Sequence, residues 1–280
     1  MSVNLEDIFT KIRPSIVAFC SNLAKGRNGG PPLMAPIMGT GFVVHEAGVV
    51  VTNRHVAQAM LELPRHPDTG GLLASALLFA DIEREERGFG LAAHFIEIVQ
   101  LQMISEFTTS NECFYGEEIP DVAFAQLAVR GLVPVTLATA EWSIRVGMEI
   151  ATAGFPLGED PLVVHGFVSQ GTPLLRRGIV SAVNPFPCPH PDAFTIDVIS
   201  QGGASGSPIF RTDHDEVIGI LYAGFPNVNI TYAVPSLIVS EALKMFLNEH
   251  LEDPAAFPTY REIAESQRQA PQGRSPWRAV

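Results

Sequence analysis

Apolar residues in this chain alternate with polar ones, or run on unbroken, in short stretches bounded by Gly, Pro, Asn and Asp. This rhythm predicts strands. A first group comprises Ile16–Cys20, Gly41–His45, Val49–Thr52, Leu72–Phe79, Ala93–Leu101, Val122–Leu127 and Val133–Leu137. The pattern breaks around Thr139–Gly147. A second group follows in Met148–Ala153, Leu162–Ser169, Gly178–Val183, Phe194–Ile199, Pro208–Arg211, Val217–Ala223 and Asn229–Val234. Residues from Leu5 onward read as a short helix feeding the first strand. Over Pro235–Leu247 the apolar Leu237, Ile238, Ala242, Leu243, Phe246 and Leu247 fall at helical spacing, which predicts a closing amphipathic helix. Residues 251–280, rich in Pro, Gln, Arg and Glu, predict a flexible tail. The expected fold is all-β, with units at 1–138 and 139–250 followed by that tail.

One run between two apolar stretches carries chemistry: Gly202-Gly203-Ala204-Ser205-Gly206-Ser207-Pro208. A nucleophilic serine must sit on a tight turn whose N–H groups point at a developing oxyanion, and glycines on either side permit such backbone. A chain of this length contains Gly-x-Ser-Gly-x-Pro by chance with a probability of roughly 0.5%. Alone, the run also reads as a Gly/Ser turn of a β protein. Two other positions weigh against that reading. In Val49-Val50-Val51-Thr52-Asn53-Arg54-His55-Val56 a histidine follows a β-branched strand at the start of a short helical turn. In Pro120-Asp121-Val122-Ala123-Phe124 an acid stands at the mouth of an apolar strand, although Asp after Pro is also ordinary turn chemistry. The order His55, Asp121, Ser205 is one of several in which a serine triad occurs.

With these residues in place, the chain resembles the trypsin-like serine proteases, and within them the HtrA/Deg type, over about residues 5–248. Gly39-Thr40-Gly41-Phe42, followed by Val51-Thr52-Asn53-Arg54-His55-Val56, is similar to that family's GSGF and VTN-x-HV segments. Asp121–Leu127 resembles its strand headed by the triad acid. Gly154-Phe155-Pro156-Leu157-Gly158, Gly178-Ile179-Val180-Ser181, Thr195-Ile196-Asp197 and Tyr232-Ala233-Val234-Pro235-Ser236 resemble further segments in the same order. The resemblance implies two six-stranded antiparallel β-barrels, one carrying His55 and Asp121 and the other Ser205, with the cleft between them. It implies an oxyanion hole from the N–H groups of Gly203 and Ser205, with Ala204 assisting. It also implies a specificity pocket lined by Ile199, Ser200 and Gln201 and by Leu221, Tyr222 and Ala223. No acid stands at the expected base of that pocket, so a small or medium apolar residue before the scissile bond is expected and Lys or Arg is disfavoured.

The departures from the family pattern carry expectations of their own. Ala204 stands where digestive trypsins have an Asp that pairs with a freed N-terminus, so activation by N-terminal cleavage is not expected. Ser207 replaces a glycine, and its Cβ is expected to stiffen or tilt the loop. The interval from His55 to Asp121 is long for the family, which predicts an insertion within 62–118, where the Asp81–Arg87 charge run reads as a solvated loop or short helix. Asp197 is expected to make a structural hydrogen bond rather than to touch substrate. The residues after 250 are too few for a PDZ domain.

Composition bounds the rest. At 280 residues and 46% hydrophobic content the chain can bury a sizeable core. A net charge of −12 speaks against a general affinity for nucleic acid or anionic membranes. Protein or peptide partners are expected instead, with a regulatory partner and a homo-oligomer left open. There is no leader pattern and no apolar run long enough to span a bilayer, so a cytoplasmic location is expected. Cys20, Cys113 and Cys188 are expected to be reduced thiols. The Cys188, His190 and Asp192 segment lacks a second ligand pair, so neither a metal nor another cofactor is expected. The expected function is that of a serine endopeptidase. The alternative is a catalytically silent fold of the same type acting as a protein-binding module.

Overall fold

The run Ile-Val-Ala-Phe-Cys reads as unbroken apolar sequence because strand β1 (Ile16–Ser21) is buried on both faces. Val17 and Phe19 point to one apolar cluster while Ala18 and Cys20 point to another, so the period of two sorts one strand between two cores. The structure, a computed structural model, describes residues 4–22, 36–84, 88–105, 119–156, 163–164, 167–168, 172–224 and 229–269. Preceding β1, helix α1 (Leu5–Ile12) is capped by Asn4, whose side chain accepts the Asp7 N–H. It buries Ile8 and Ile12, one turn apart, and gives way at Pro14 to a short 3₁₀ turn.

β1 joins β2 (Ile37–His45), β3 (Val49–Thr52), β4 (Ala74–Arg84), β5 (Gly88–Met103) and β6 (Ala123–Leu127) in a closed antiparallel barrel ordered β1-β2-β3-β6-β5-β4. Helix α2 (Arg54–Leu61) leaves β3 and lays Val56, Ala57 and Met60 against the barrel's core. The insertion expected at 62–118 is in large part a lengthened β4–β5 hairpin, paired from Ser75↔Glu97 out to Arg84↔Gly88. The first part of the Asp81–Arg87 charge run therefore belongs to a strand and not to a loop or helix. Residues 85–87, 106–118 and with them Cys113 lie outside the described residues.

Val133–Leu137 was expected in the first barrel. The structure instead makes it the crossing between barrels: Val135 N–H still donates to Val43, whereas β7 (Thr136–Leu137) pairs in parallel with a strand of the second sheet. The second sheet contains β8 (Glu149–Gly154), β11 (Leu174–Asn184), β12 (Ala193–Ile196), β13 (Pro208–Arg211), β14 (Glu216–Gly224) and β15 (Thr231–Pro235). The β13–β14 pairing closes it into a six-stranded barrel, with β7 added on β14. Between β8 and β11, β9 (Val163–Val164) and β10 (Phe167–Val168) form a separate two-stranded pair. Helix α3 (Ser236–Glu249) follows β15.

Each barrel has its own core, and a third apolar layer joins them. That layer gathers Phe42, Val51 and Phe124 from the first barrel, Phe155, Phe210 and Ile220 from the second, and Ile8, Ile12, Val239 and Phe246 from α1 and α3. Phe124 and Phe246 meet with ring centroids 5.4 Å apart. Side chains of this size contribute roughly 1.5–3 kcal/mol each when fully buried, so the layer fixes the two barrels against each other. Cys20 is fully buried there. Burial pushes its thiol up to about 12, and so it stays protonated and unreactive.

The segment expected to begin a flexible tail at 251 is folded as far as residue 269. Gln126 grips it at both groups of its amide, donating to Glu252 O at 2.9 Å and accepting Glu252 N–H at 2.8 Å. Arg130 N–H donates to Pro258 O, and Tyr260 N–H returns a bond to Arg130 O. Helix α4 (Tyr260–Gln269) then packs Tyr260 and Ile263 on the first barrel's core. Composition read as disorder because the strap is held by backbone bonds and two apolar anchors, which add little to mean hydropathy. Residues 270–280 lie outside the described residues.

Thr259 and Glu262 form a capping box at the start of α4: Thr259 N–H donates to the Glu262 carboxylate at 2.7 Å, and Glu262 N–H donates to Thr259 Oγ1 at 3.2 Å. The two bonds from Thr259, its backbone N–H foremost, hold the Glu262 carboxyl below its ordinary value. A carboxyl depressed in the folded state stabilises most above the ordinary glutamate range, and that contribution is lost as pH falls through the depressed value. Hydrogen-exchange protection factors over 259–269 should therefore fall on acidification below that range, and Glu262→Gln should flatten the dependence.

Candidate active site

His55 is the second residue of α2, where its backbone N–H is one of the donors left unpaired by the helix. Asn53 at the N-cap does not satisfy these donors with its side chain. Its Nδ2 instead donates to Asp121 O at 2.8 Å and fixes the chain just before β6. The Asp121 carboxylate then takes over the capping: Oδ1 accepts the His55 N–H at 3.0 Å. Oδ2 lies 2.6 Å from His55 Nδ1. An ionised carboxylate only accepts, so Nδ1 carries the proton and Nε2 presents its lone pair outward. The imidazole is half exposed and Asp121 is more enclosed, at 24%.

Ser205 lies in the second of two consecutive tight turns. In the first, Ala204 N–H donates to Gln201 O at 3.0 Å across Gly202 and Gly203, and Gly203 has φ +87°. In the second, Ser207 N–H donates to Ala204 O at 3.0 Å across Ser205 and Gly206, and Gly206 has φ +90°. A positive φ at the third position is what a type II turn requires, and glycine supplies it without strain. A Cβ on Gly206 would also stand 1.8 Å from Thr40 O, so close approach to β2 excludes any other residue there.

The carbonyls of Gly203, Ala204 and Ser205 are occupied, while several of the loop's N–H groups have no acceptor among the described residues. Gly203 O accepts Thr40 Oγ1–H at 2.7 Å, Ser205 O accepts Thr40 N–H at 2.8 Å, and Gly206 N–H donates to Leu221 O at 2.8 Å. Ala204 N–H is committed to Gln201, which removes it from the expected oxyanion donors. The N–H groups of Gly203 and Ser205 have no acceptor among the described residues. Ser207, expected to stiffen or tilt the loop, donates its hydroxyl to Ala204 O at 2.6 Å, doubling the bond its own N–H makes. Gly154 makes room for it, since a Cβ there would lie 2.0 Å from Ser207 Oγ.

The Ser205 loop is thus tied to β2 of the first barrel, which pairs with β3, the strand leading to His55. Thr40 O accepts Thr52 Oγ1–H at 2.8 Å, so two hydrogen bonds connect Ser205 to the residue three before His55. No hydrogen bond joins Ser205 Oγ to His55 Nε2 among the described residues. Such bonds are commonly long in a free enzyme and tighten with substrate bound.

The expected specificity residues separate. Ile199 and Leu221 line a shallow depression beside the nucleophile loop, together with Thr152, Gly154, Pro156, Leu174, Arg176, Val198, Ala204 and Ser207. Ser200, Gln201, Tyr222 and Ala223 are not among its walls. Ser200 instead lies against Gly224, where a Cβ would approach its own Cβ to 2.8 Å. Among the described residues the depression has no acid, and its one cation, Arg176, donates to Ile199 O. Asp197 accepts the Ile179 N–H at 2.6 Å, the structural bond expected of it. Thr40, Thr52 and Asn53 had no assigned role in the sequence. The available signal was a polar residue between two glycines in an otherwise apolar strand.

A family model of the trypsin-like peptidase domain matches residues 39–220, and the chain belongs to that family. It is similar to the probable periplasmic serine endoprotease DegP-like of Halomonas elongata, 25% identical over 238 residues that make up 82% of this chain and 40% of that protein. Serine protease HTRA3 of Mus musculus is 26% identical over 256 residues, 89% of this chain and 46% of that protein. The chain thus spans less than half the length of these curated relatives. Among solved structures it is similar to Deg5, with a TM-score of 0.53 and 22% identity over 89% of this chain and 95% of that one. The HtrA-type protease AlgW with tripeptide gives a TM-score of 0.55 at 16% identity, over 88% of this chain and 64% of that one. At these identities the structures establish the fold. The cytoplasmic expectation is not upheld, because the Halomonas relative is described as periplasmic. The compartment leaves no mark on a barrel fold. No helix among the described residues is long and apolar enough to cross a membrane.

Asp121 caps α2 as well as orienting the imidazole. Asp121→Ala should lower stability by about 1 kcal/mol through the lost cap. Asp121→Asn, which retains one oxygen for the His55 N–H, should cost less. Urea unfolding of the two variants beside the parent protein checks the order.

Proposed function

We propose that this chain is a serine endopeptidase domain acting through His55, Asp121 and Ser205. The observation that carries the reading is the seam itself. There, Asp121 lies 2.6 Å from the His55 imidazole, and Thr40 bonds both to the Ser205 loop and to Thr52, three residues before His55. In this reading His55 Nε2 accepts the Ser205 proton as the hydroxyl oxygen attacks a peptide carbonyl. The imidazolium is stabilised by Asp121, and the same proton passes to the leaving amine. Gly203 and Ser205 N–H receive the oxyanion. Water then repeats the sequence and releases the acyl group.

The substrate is a protein or peptide with a small or medium apolar residue before the scissile bond. Val198, Leu221 and Ala204 make an apolar surface beside the nucleophile loop, and no acid among the described residues there would pair with a buried lysine or arginine. A peptide library should return cleavage after Ala, Val or Leu; dominant cleavage after Lys would overturn this assignment.

A fluorophosphonate probe tests the activity directly, because it reacts only with an activated serine beside a working oxyanion site. Intact mass should show one adduct per chain and none on Ser205→Ala. A folded protein that takes up no probe would favour the binding module over the peptidase.

A further inference from the structure

Gly203 and Ser205 each leave an N–H unpaired, and each gives its C=O to the same residue. Thr40 Oγ1 holds Gly203 O at 2.7 Å and Thr40 N holds Ser205 O at 2.8 Å. Thr40 is on β2 of the first barrel, while the loop it holds belongs to the second. It is fully buried, so neither bond competes with water.

The hydroxyl's direction is also determined. Phe155 N–H donates to Thr40 Oγ1 at 3.1 Å and occupies an acceptor site, leaving the single hydroxyl hydrogen for Gly203 O. Thr40 O in turn takes the Thr52 hydroxyl, next to the segment that leads into α2. One side chain and its backbone therefore touch the nucleophile loop, the end of β8 and the approach to His55. Ala204, between the two held carbonyls, has no polar side-chain group to anchor the loop from within.

We infer that Thr40 is the positioning residue of the nucleophile loop, its hydroxyl fixing the Gly203–Ala204 peptide and with it the setting of the Gly203 and Ser205 N–H groups. The catalytic consequence rests on the peptidase reading above; the hold on the loop does not. Valine keeps the shape of threonine and removes the hydroxyl, whereas serine keeps the hydroxyl.

The test compares Thr40→Val and Thr40→Ser with the parent chain by two measurements. The first is hydrogen exchange over residues 201–208, with β1 and β8 as the control for an intact fold. The second is the rate of fluorophosphonate labelling, with kcat and KM on a cleaved peptide. Thr40→Val should raise exchange in 201–208 by at least tenfold with β1 and β8 unchanged. It should also slow labelling and kcat by ~10²-fold, the range for loss of an oxyanion donor, at similar KM. Thr40→Ser should stay within a few-fold of the parent on both. If Thr40→Val does not fold, Thr40→Ala is read in the same way. Parental exchange in a folded Thr40→Val or Thr40→Ala protein overturns the inference, and so does parental labelling. Raised loop exchange in Thr40→Val while the parent takes up no probe would overturn the peptidase reading and support the role of Thr40 in the loop.

Discussion

The contact between Gly206 and Thr40 O sets the geometry of the whole seam. There is no space for a side chain at that point, and the backbones of two separately closed barrels meet with only a glycine between them. An apolar layer that includes Phe42, Phe124, Phe155 and Phe210 presses the barrels together around this point, but it is non-directional and would tolerate small slides. The hydrogen bonds of Thr40 convert that pressure into a fixed registration. Hydrophobic burial brings the parts together, and a few buried polar contacts decide where they stop.

The His55 side of the seam reaches the same precision by a different route. Its support is the start of an eight-residue helix whose own N-cap side chain is turned to another task. Asp121 arrives from a distant part of the chain and supplies the missing acceptor. The same carboxylate holds the imidazole, so the backbone and the ring of His55 are fixed by one group. A helix terminus that needs an acceptor and a histidine that needs an orienting acid are satisfied together, and both depend on β3 and β6 pairing side by side. This arrangement places the acid at the end of a strand buried at every position.

Beyond the seam, the chain makes its own additions to the family's fold. The interval between His55 and Asp121 carries the long β4–β5 hairpin. The residues after α3 return to the first barrel and are held by Gln126 and Arg130, close to the end of β6 that lies away from Asp121. The depression next to the nucleophile loop mixes apolar walls with Thr152, Ser207 and Arg176 among the described residues.

The sequence by itself determined the strands, the chain order of His55, Asp121 and Ser205, and the glycines on either side of the nucleophile. These are local properties: a period of two, a turn that needs positive φ, and residue types that carry their chemistry wherever they sit. It missed the crossing at Val135–Thr136, because a strand's hydrophobic pattern does not say which sheet it joins. It missed the strap at 252–269, because bonds made by backbone groups are invisible to composition. It assigned the Ala204 N–H to the oxyanion site, but that group is bonded to Gln201 O, and the direction of an N–H depends on what faces it across space. Thr40 is the sharpest case. Its neighbours in sequence are two glycines, while its partners are Gly203, Ser205, Phe155 and Thr52. Only the closure of both barrels brings those groups within hydrogen-bonding distance.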